Sequence, residues 1–160
     1  MSEAIRIGIV GARFAARFHW EGYRRVYGTP VQVVGVTSQS PESREEFARQ
    51  HGIEAFASFD ELCEAVDVVD LCTPGSTHEP LAVRALRRGK HVVVEKPFTG
   101  YYGPGTPDFR GDAFSKEVML REAMASSIGS WWLPGRPENR SAMRRIGCML
   151  PQSKRSGRSW

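Results

Sequence analysis

Gly11-Ala12-Arg13-Phe14-Ala15-Ala16 follows a short β-rich run at residues 5–10 and opens a helical pattern. A turn of that kind leaves the backbone N–H groups of a helix N-terminus free. Such groups hold phosphate, including the pyrophosphate of a dinucleotide. The pattern G-x-G-x-x-G/A is half kept: Gly11 and Ala16 fit, while Arg13 replaces the glycine that lets backbone approach phosphate. An arginine there can pair its guanidinium with phosphate oxygens instead. By itself the half-motif fits a nucleotide turn and a purely structural strand-to-helix turn equally well. After the second strand run, where an acid would hold a ribose 2′-hydroxyl, the chain reads Thr37-Ser38-Gln39-Ser40, with no carboxylate before Glu42. Hydroxyls near Arg13 and Arg44 suit a 2′-phosphate; a helix cap beside an exposed arginine is the plain alternative.

Two later constellations lie at strand ends. Cys72-Thr73-Pro74-Gly75-Ser76-Thr77-His78 forms a loop after one strand, and Gly89-Lys90-His91-Val92-Val93-Val94-Glu95-Lys96-Pro97 carries the next strand into a Glu-Lys-Pro run. An isolated Glu-Lys pair reads as a solvated ion pair. At the C-terminal end of a parallel strand it stands where open α/β sheets bind ligands. His19 and His51 read as structural or solvated. Cys63 and Cys72 read as small buried thiols, since no second Cys/His pair at metal spacing accompanies them, and no metal is expected. The aromatic loop at residues 101–109 either shapes a substrate mouth or packs down.

The elements that position these residues follow from periodicity. Strand runs at residues 5–10, 31–36, 55–56, 68–72 and 91–94 alternate with helical patterns at 14–27, 41–50, a short stretch carrying Leu62, Cys63 and Val66, and 79–88. On the first helix, Phe14, Ala15, Phe18, Tyr23 and Val26 fit one apolar face. Ser40 with Pro41 marks one helix start and Gly52 its end; Ser58 or Asp60 caps the next helix; Gly89 terminates the fourth. Strands alternating with helices predict right-handed βαβ units and a parallel sheet with helices on both faces. A further helix is expected from about residue 115 to 126.

At 160 residues, 41% hydrophobic and 25% charged, the composition excludes a collagen-like, wholly disordered or disulfide-scaffold chain. No apolar run approaches the ~20 residues that span a bilayer, so no membrane partner is expected. The N-terminal residues lack a secretory pattern, and three widely spaced cysteines suit a reducing compartment, so a cytoplasmic location is expected. The net charge of +4 is unevenly placed: residues 127–160 hold seven basic residues and one acid, which leaves residues 1–126 mildly acidic. The tail has no periodic helix to array its charge, so a nucleic-acid partner is not expected.

The two strand-end motifs, in order and behind a Rossmann-type start, resemble the Gfo/Idh/MocA family, the glucose–fructose oxidoreductase and inositol dehydrogenase relatives. The resemblance covers about residues 5–126. It implies a Rossmann-type α/β domain binding NAD(P), with NADP slightly favoured on the Ser38 reading. Gly11, Arg13, Phe14 and Ala16 then fall on the phosphate turn and Ser38 on the ribose selector. Thr73, Pro74 and His78 fall on the loop beside the nicotinamide ribose. Glu95, Lys96 and Pro97 fall beside the nicotinamide, with Lys96 as the catalytic contact to the substrate hydroxyl. The implied substrate is a small hydroxy or carbonyl compound such as a sugar or polyol. The alternative is a dinucleotide-binding module without catalysis, or a decayed gene product.

The resemblance also implies a second, C-terminal α+β domain bearing the substrate pocket and the oligomer contacts. Residues 127–160 do not match its beginning. The sequence therefore reads as residues 1–126, a Rossmann domain truncated before its sixth strand and inactive alone, and residues 127–160, an aperiodic, out-of-frame or disordered basic tail. Synonymous codons for the tail, read two nucleotides later, permit Pro-Leu-Cys-Tyr-Ala-Glu-Asn-Trp-Val-Tyr-Ala-Pro, which resembles the family's sixth strand. Restoring one nucleotide near the codons for Ser126 and Ser127 should open a longer frame encoding that strand and a second domain. Immediate stop codons on sequencing the gene would refute the frame change.

Overall fold

Strand residues alternate sides with a period of two, and here both sides are apolar, as in a parallel sheet buried between helices. A computed structural model describes residues 3–106, 109–131 and 146–147. The elements run β1 (Ile5–Val10), α1 (Phe14–Tyr23), β2 (Val31–Thr37), α2 (Pro41–His51), β3 (Glu54–Ala55), α3 (Phe59–Ala65), β4 (Val68–Leu71), α4 (His78–Arg87), β5 (His91–Val94), α5 (Lys116–Trp131) and β6 (Ile146–Gly147). All pairings are parallel, in the order β3-β2-β1-β4-β5-β6. That order places a topological switch point between β1 and β4, where doubly wound sheets open a crevice at their C-terminal ends.

Two core clusters fill the two faces. On one, Val69, Leu71, Val92 and Val94 pack with Leu62, Val66, Ala82 and Ala85 from α3, α4 and the turn after α3. On the other, Ile9, Val36 and Cys72 pack with Ala16, Phe47 and Ala48 from α1 and α2. The caps follow the sequence. Ser40 Oγ accepts from Ser43 N at 3.2 Å, with Pro41 in the first turn of α2 and Gly52 left-handed at its end (φ 66°). Of the two candidate caps for α3, it is Ser58 that accepts from Glu61 N.

The structure corrects the expectations for α1 and for the last helix. The apolar stripe on α1 faces inward only at Tyr23 and, in part, at Ala15: Phe14 is 85% and Phe18 65% exposed, while Ala16 and His19, outside the stripe, are buried. A small residue at 16 lets the helix lie close to the sheet, and His19 and Tyr23 find buried acceptors, so specific hydrogen bonds set the rotation of the helix. Beyond the five strands that the sequence predicts, Ile146 and Gly147 add a two-residue parallel pairing with Val92 and Val93. An open edge of unpaired N–H and C=O groups accepts any extended segment, and a two-residue pairing leaves no periodic trace in sequence. The last helix continues to Trp131, five residues beyond its expected end. The remainder of the 127–160 tail lies outside the described residues. Among the described residues, no helix is long and apolar enough to cross a membrane.

Leu62 is fully buried and packs against β1, where a Cβ on Gly8 would come within 2.6 Å of it. Leu62→Ala should destabilise the domain by about 2–5 kcal/mol in urea denaturation. A loss below about 1 kcal/mol would mean that the α3 face is not tightly packed.

Candidate functional site: the crevice between the ends of β1, β4 and β5

The β1–α1 turn is built for close approach. Gly11 has φ +104°, and a Cβ there would meet the carbonyl oxygen of Cys72 at 2.6 Å. Only glycine fits that conformation and that gap. Gly11 N–H donates to Thr37 O at 2.8 Å, which anchors the turn to the end of β2. The N-terminus of α1 has no side-chain cap and no acid in its first turn, so its outward N–H groups are left for an anion. Arg13 and Phe14 are exposed on this turn, Ala16 is buried beneath it, and Ser38 is half-buried just beyond β2. These are features a dinucleotide's phosphates require. Arg44 does not stand free for a 2′-phosphate: its guanidinium donates to the Ala57 carbonyl at 3.3 Å, and its buried Nε has no partner. Arg13 is the arginine left exposed.

On the other side of the crevice, Thr73 and Pro74 start a loop held by Thr77. Thr77 Oγ1 lies 2.7 Å from Thr73 Oγ1 and 2.8 Å from Pro74 O. His78 differs from its expected place at the cofactor surface. It is 1% exposed, with Nδ1 2.8 Å from Pro97 O and Nε2 2.7 Å from Thr73 O. Both ring nitrogens are taken up by backbone carbonyls, so His78 is a strut binding the Thr73 loop to the Glu95-Lys96-Pro97 segment. Lys96 and Pro97 are exposed, joined by a cis peptide bond. Among the described residues the Lys96 ammonium forms no ion pair, although Glu95 is its neighbour.

Glu95 is instead turned inward. His19 from α1, fully buried, lies with Nε2 2.8 Å from Glu95 Oε1 and Nδ1 2.8 Å from Asp70 Oδ2. Tyr23 donates to the same Asp70 oxygen at 2.9 Å, and Cys72 Sγ is 3.4 Å from His19 Nδ1. Burial opposes charge on the His19 ring. Hydrogen bonds and charge from Asp70, then Glu95, outweigh that penalty and raise its pKa above the usual value. Burial pushes the Tyr23 hydroxyl and the Cys72 thiol up as well, helped in each by the Asp70 charge. Ligand atoms around a tetrahedral ion, with bonds of about 2.0 Å, lie about 3.3 Å apart. His19 and Asp70 are at hydrogen-bond separation, and this cluster is read as a hydrogen-bonded network.

From the sequence, His19 is expected to be structural or solvated and Tyr23 to be part of an apolar face; their joint hydrogen bonding to Asp70 emerges only in the fold. The available signal was Asp70 itself, a charge in the middle of a buried strand, where a partner is obligatory. The aromatic loop packs down in part: Tyr101, Phe109 and Phe114 meet with ring centroids 5.3–5.8 Å apart. Tyr102 remains exposed and covers Gly75, where a Cβ would lie 2.2 Å from its hydroxyl.

Residues 5–103 match the family described as "Oxidoreductase family, NAD-binding Rossmann fold". The chain belongs to the Gfo/Idh/MocA family. It is 37% identical over 95 residues to UDP-N-acetylglucosamine 3-dehydrogenase of Acidithiobacillus ferrooxidans, a match covering 59% of this chain and 29% of that enzyme. It is 30% identical over 146 residues to scyllo-inositol 2-dehydrogenase (NADP(+)) of Bacillus subtilis, covering 89% of this chain and 42% of that enzyme. Among solved structures, the WlbA dehydrogenase of Bordetella pertussis in complex with NADH and UDP-GlcNAcA superposes with TM-score 0.56 at 26% identity, over 61% of this chain and 29% of that one. The chain thus spans well under half the length of these family members. The fold, the family and its NAD(P)-binding Rossmann character agree with the motifs.

His19 gains its charge partners only on folding. Its contribution to stability is complete below its unfolded pKa of about 6.5 and is lost as pH rises through its raised folded value. Urea denaturation between about pH 6 and pH 9 should show the stability advantage of wild type over His19→Phe shrinking as pH rises. An advantage that grows with pH would mean that the ring is neutral in the folded state.

Proposed function

We propose that this chain is the dinucleotide-binding part of an oxidoreductase acting on a CH–OH group of a sugar, polyol or related hydroxy compound, with Lys96 as the catalytic residue. The observation that carries this reading is the Lys96 ammonium, without an ion pair among the described residues, at the C-terminal end of β5, across the switch-point crevice from the Gly11 turn. NAD(P), when bound, takes up or returns the hydride. The α1 N-terminus and Arg13 hold its phosphates, and Ser38 meets the adenosine ribose. Thr73 and Pro74 form the nicotinamide-side wall, which His78 braces from beneath. The Lys96 ammonium donates a hydrogen bond to the substrate hydroxyl oxygen. It thereby orients that group and lowers the cost of charge developing as the proton passes to a base, which we assign to the second domain implied by the family resemblance.

Turnover needs substrate held near contact distance, and orientation supplies about 7–11 kcal/mol of rate enhancement. We assign that clamp, and contacts between copies, to the second domain implied by the family resemblance. We place the protein in the cytoplasm, in keeping with the free, buried thiols of Cys63 and Cys72. Residues 1–126 form the binding unit in this reading, with 127–160 as an out-of-frame tail. The inositol dehydrogenase match takes in more of the chain than residues 1–126 and is the observation on the other side.

With no acid at Ser38, NADP(H) should bind at least as well as NAD(H). Arg13→Ala should weaken NADP(H) about tenfold, in line with about 1.5 kcal/mol for a charge-assisted contact, and weaken NAD(H) less. Calorimetric titration of both nucleotides checks this. A clear preference for NAD(H) in the wild-type chain would remove the 2′-phosphate pocket, and no binding of either would remove the dinucleotide reading.

A further inference from the structure

The buried His19 network reaches the rim of the crevice at Glu95. Its imidazole stands between Asp70 Oδ2 and Glu95 Oε1, 2.8 Å from each. Ionised carboxylates accept hydrogen bonds and do not donate them, so both ring nitrogens donate. Asp70 is fully buried, but Glu95 keeps 22% of its side chain exposed at the rim. The second Glu95 oxygen receives the backbone N–H of Lys96 at 3.2 Å. A rim glutamate next to a lysine would ordinarily turn to the ammonium or to water; this one is drawn under α1, and no Glu95–Lys96 ion pair forms among the described residues. His19 lies on the helix whose first turn holds the phosphate site, and Glu95 immediately follows the last residue of β5.

We propose that His19 is a positioning residue for the nicotinamide half of the site: it holds Glu95 away from Lys96, keeps the Lys96 ammonium free for a ligand, and ties the β5 terminus to the phosphate-binding helix. The inference rests on the dinucleotide reading above and adds a residue to it. Released from His19, the Glu95 carboxylate would swing to the neighbouring ammonium, and the rim beneath the nicotinamide would lose both its shape and its free cation. As long as the bonds to Asp70 hold α1 in place, the adenosine half, built from the Gly11 turn, α1 and the end of β2, would be left as it is.

Two isosteric substitutions separate this role from a merely structural one. The amide nitrogen of asparagine falls near the imidazole Nδ1 position, so His19→Asn keeps the bond to Asp70 and gives up Glu95. The amide nitrogen of glutamine falls near Nε2, so His19→Gln keeps Glu95 and gives up Asp70. Titration of the full 160-residue chain with NADPH and with 2′-phospho-ADP-ribose, which lacks only the nicotinamide ring, reads the contribution of that ring separately. His19→Asn should weaken NADPH about tenfold, about 1.4 kcal/mol, while 2′-phospho-ADP-ribose changes less than about twofold. His19→Gln should restore the wild-type ratio of the two affinities although its melting temperature falls. Parallel losses for both ligands in both variants, or an unchanged ratio in His19→Asn, would overturn the proposal. If His19→Asn does not fold, Glu95→Asp, too short to span to Nε2, should show the same selective loss, and an unchanged ratio there would equally overturn it. A wild-type chain that binds neither ligand would refute the dinucleotide reading and this inference with it.

Discussion

One imidazole ring held between two carboxylates governs how α1 lies on the sheet. Asp70 and Cys72 project toward α1 because Val69 and Leu71 project toward the other helical layer, a consequence of the two-residue period of β4. A carboxylate at the centre of a parallel strand cannot stay unpaired, since burial of a lone charge is costly. His19 and Tyr23 meet that demand from α1, one turn apart. The helix is therefore rotated to present a histidine, a tyrosine and a small alanine inward, and two phenylalanines are left in solvent. The energetic logic is that of a buried ion pair: it adds little by itself, but removing one partner leaves an uncompensated charge.

That rotation has consequences at the crevice. It fixes the direction of the α1 N-terminus over the Gly11 turn, where backbone passes within contact distance of the Cys72 carbonyl. It also draws Glu95 inward and leaves Lys96 outward. The rim is finished by a second buried histidine, His78, which joins the carbonyls of Thr73 and Pro97 across 24 residues of sequence. Two histidines thus hold the β4 and β5 ends, one through side-chain charge and one through backbone carbonyls, and the exposed groups stand on that frame.

Family membership and geometry constrain each other here. Relatives include enzymes named for UDP-N-acetylglucosamine and for scyllo-inositol, and the shared region is the Rossmann part. What that region shares is the NAD-binding Rossmann fold of the family. The exposed Tyr102 lies over Gly75 in the loop that follows β4.

Strand and helix order, the Ser40 cap, the choice of Ser58 or Asp60 at the next helix, the helix-ending glycines Gly52 and Gly89 and the two strand-end motifs were legible in the sequence, because each depends on residues within a few positions of one another. The parallel sheet followed from the alternation of those elements. Other features depended on partners brought together only by the fold. His19 meets Asp70 and Glu95 from 51 and 76 residues away. His78 is taken up by two carbonyls, Arg44 is drawn to Ala57, and a two-residue β6 finds the open edge of β5. Hydrophobic periodicity assigns a helix face by transfer free energy alone. On α1 a polar residue with satisfied buried hydrogen bonds displaced a phenylalanine from the inward face, and only the tertiary arrangement of acceptors could decide that.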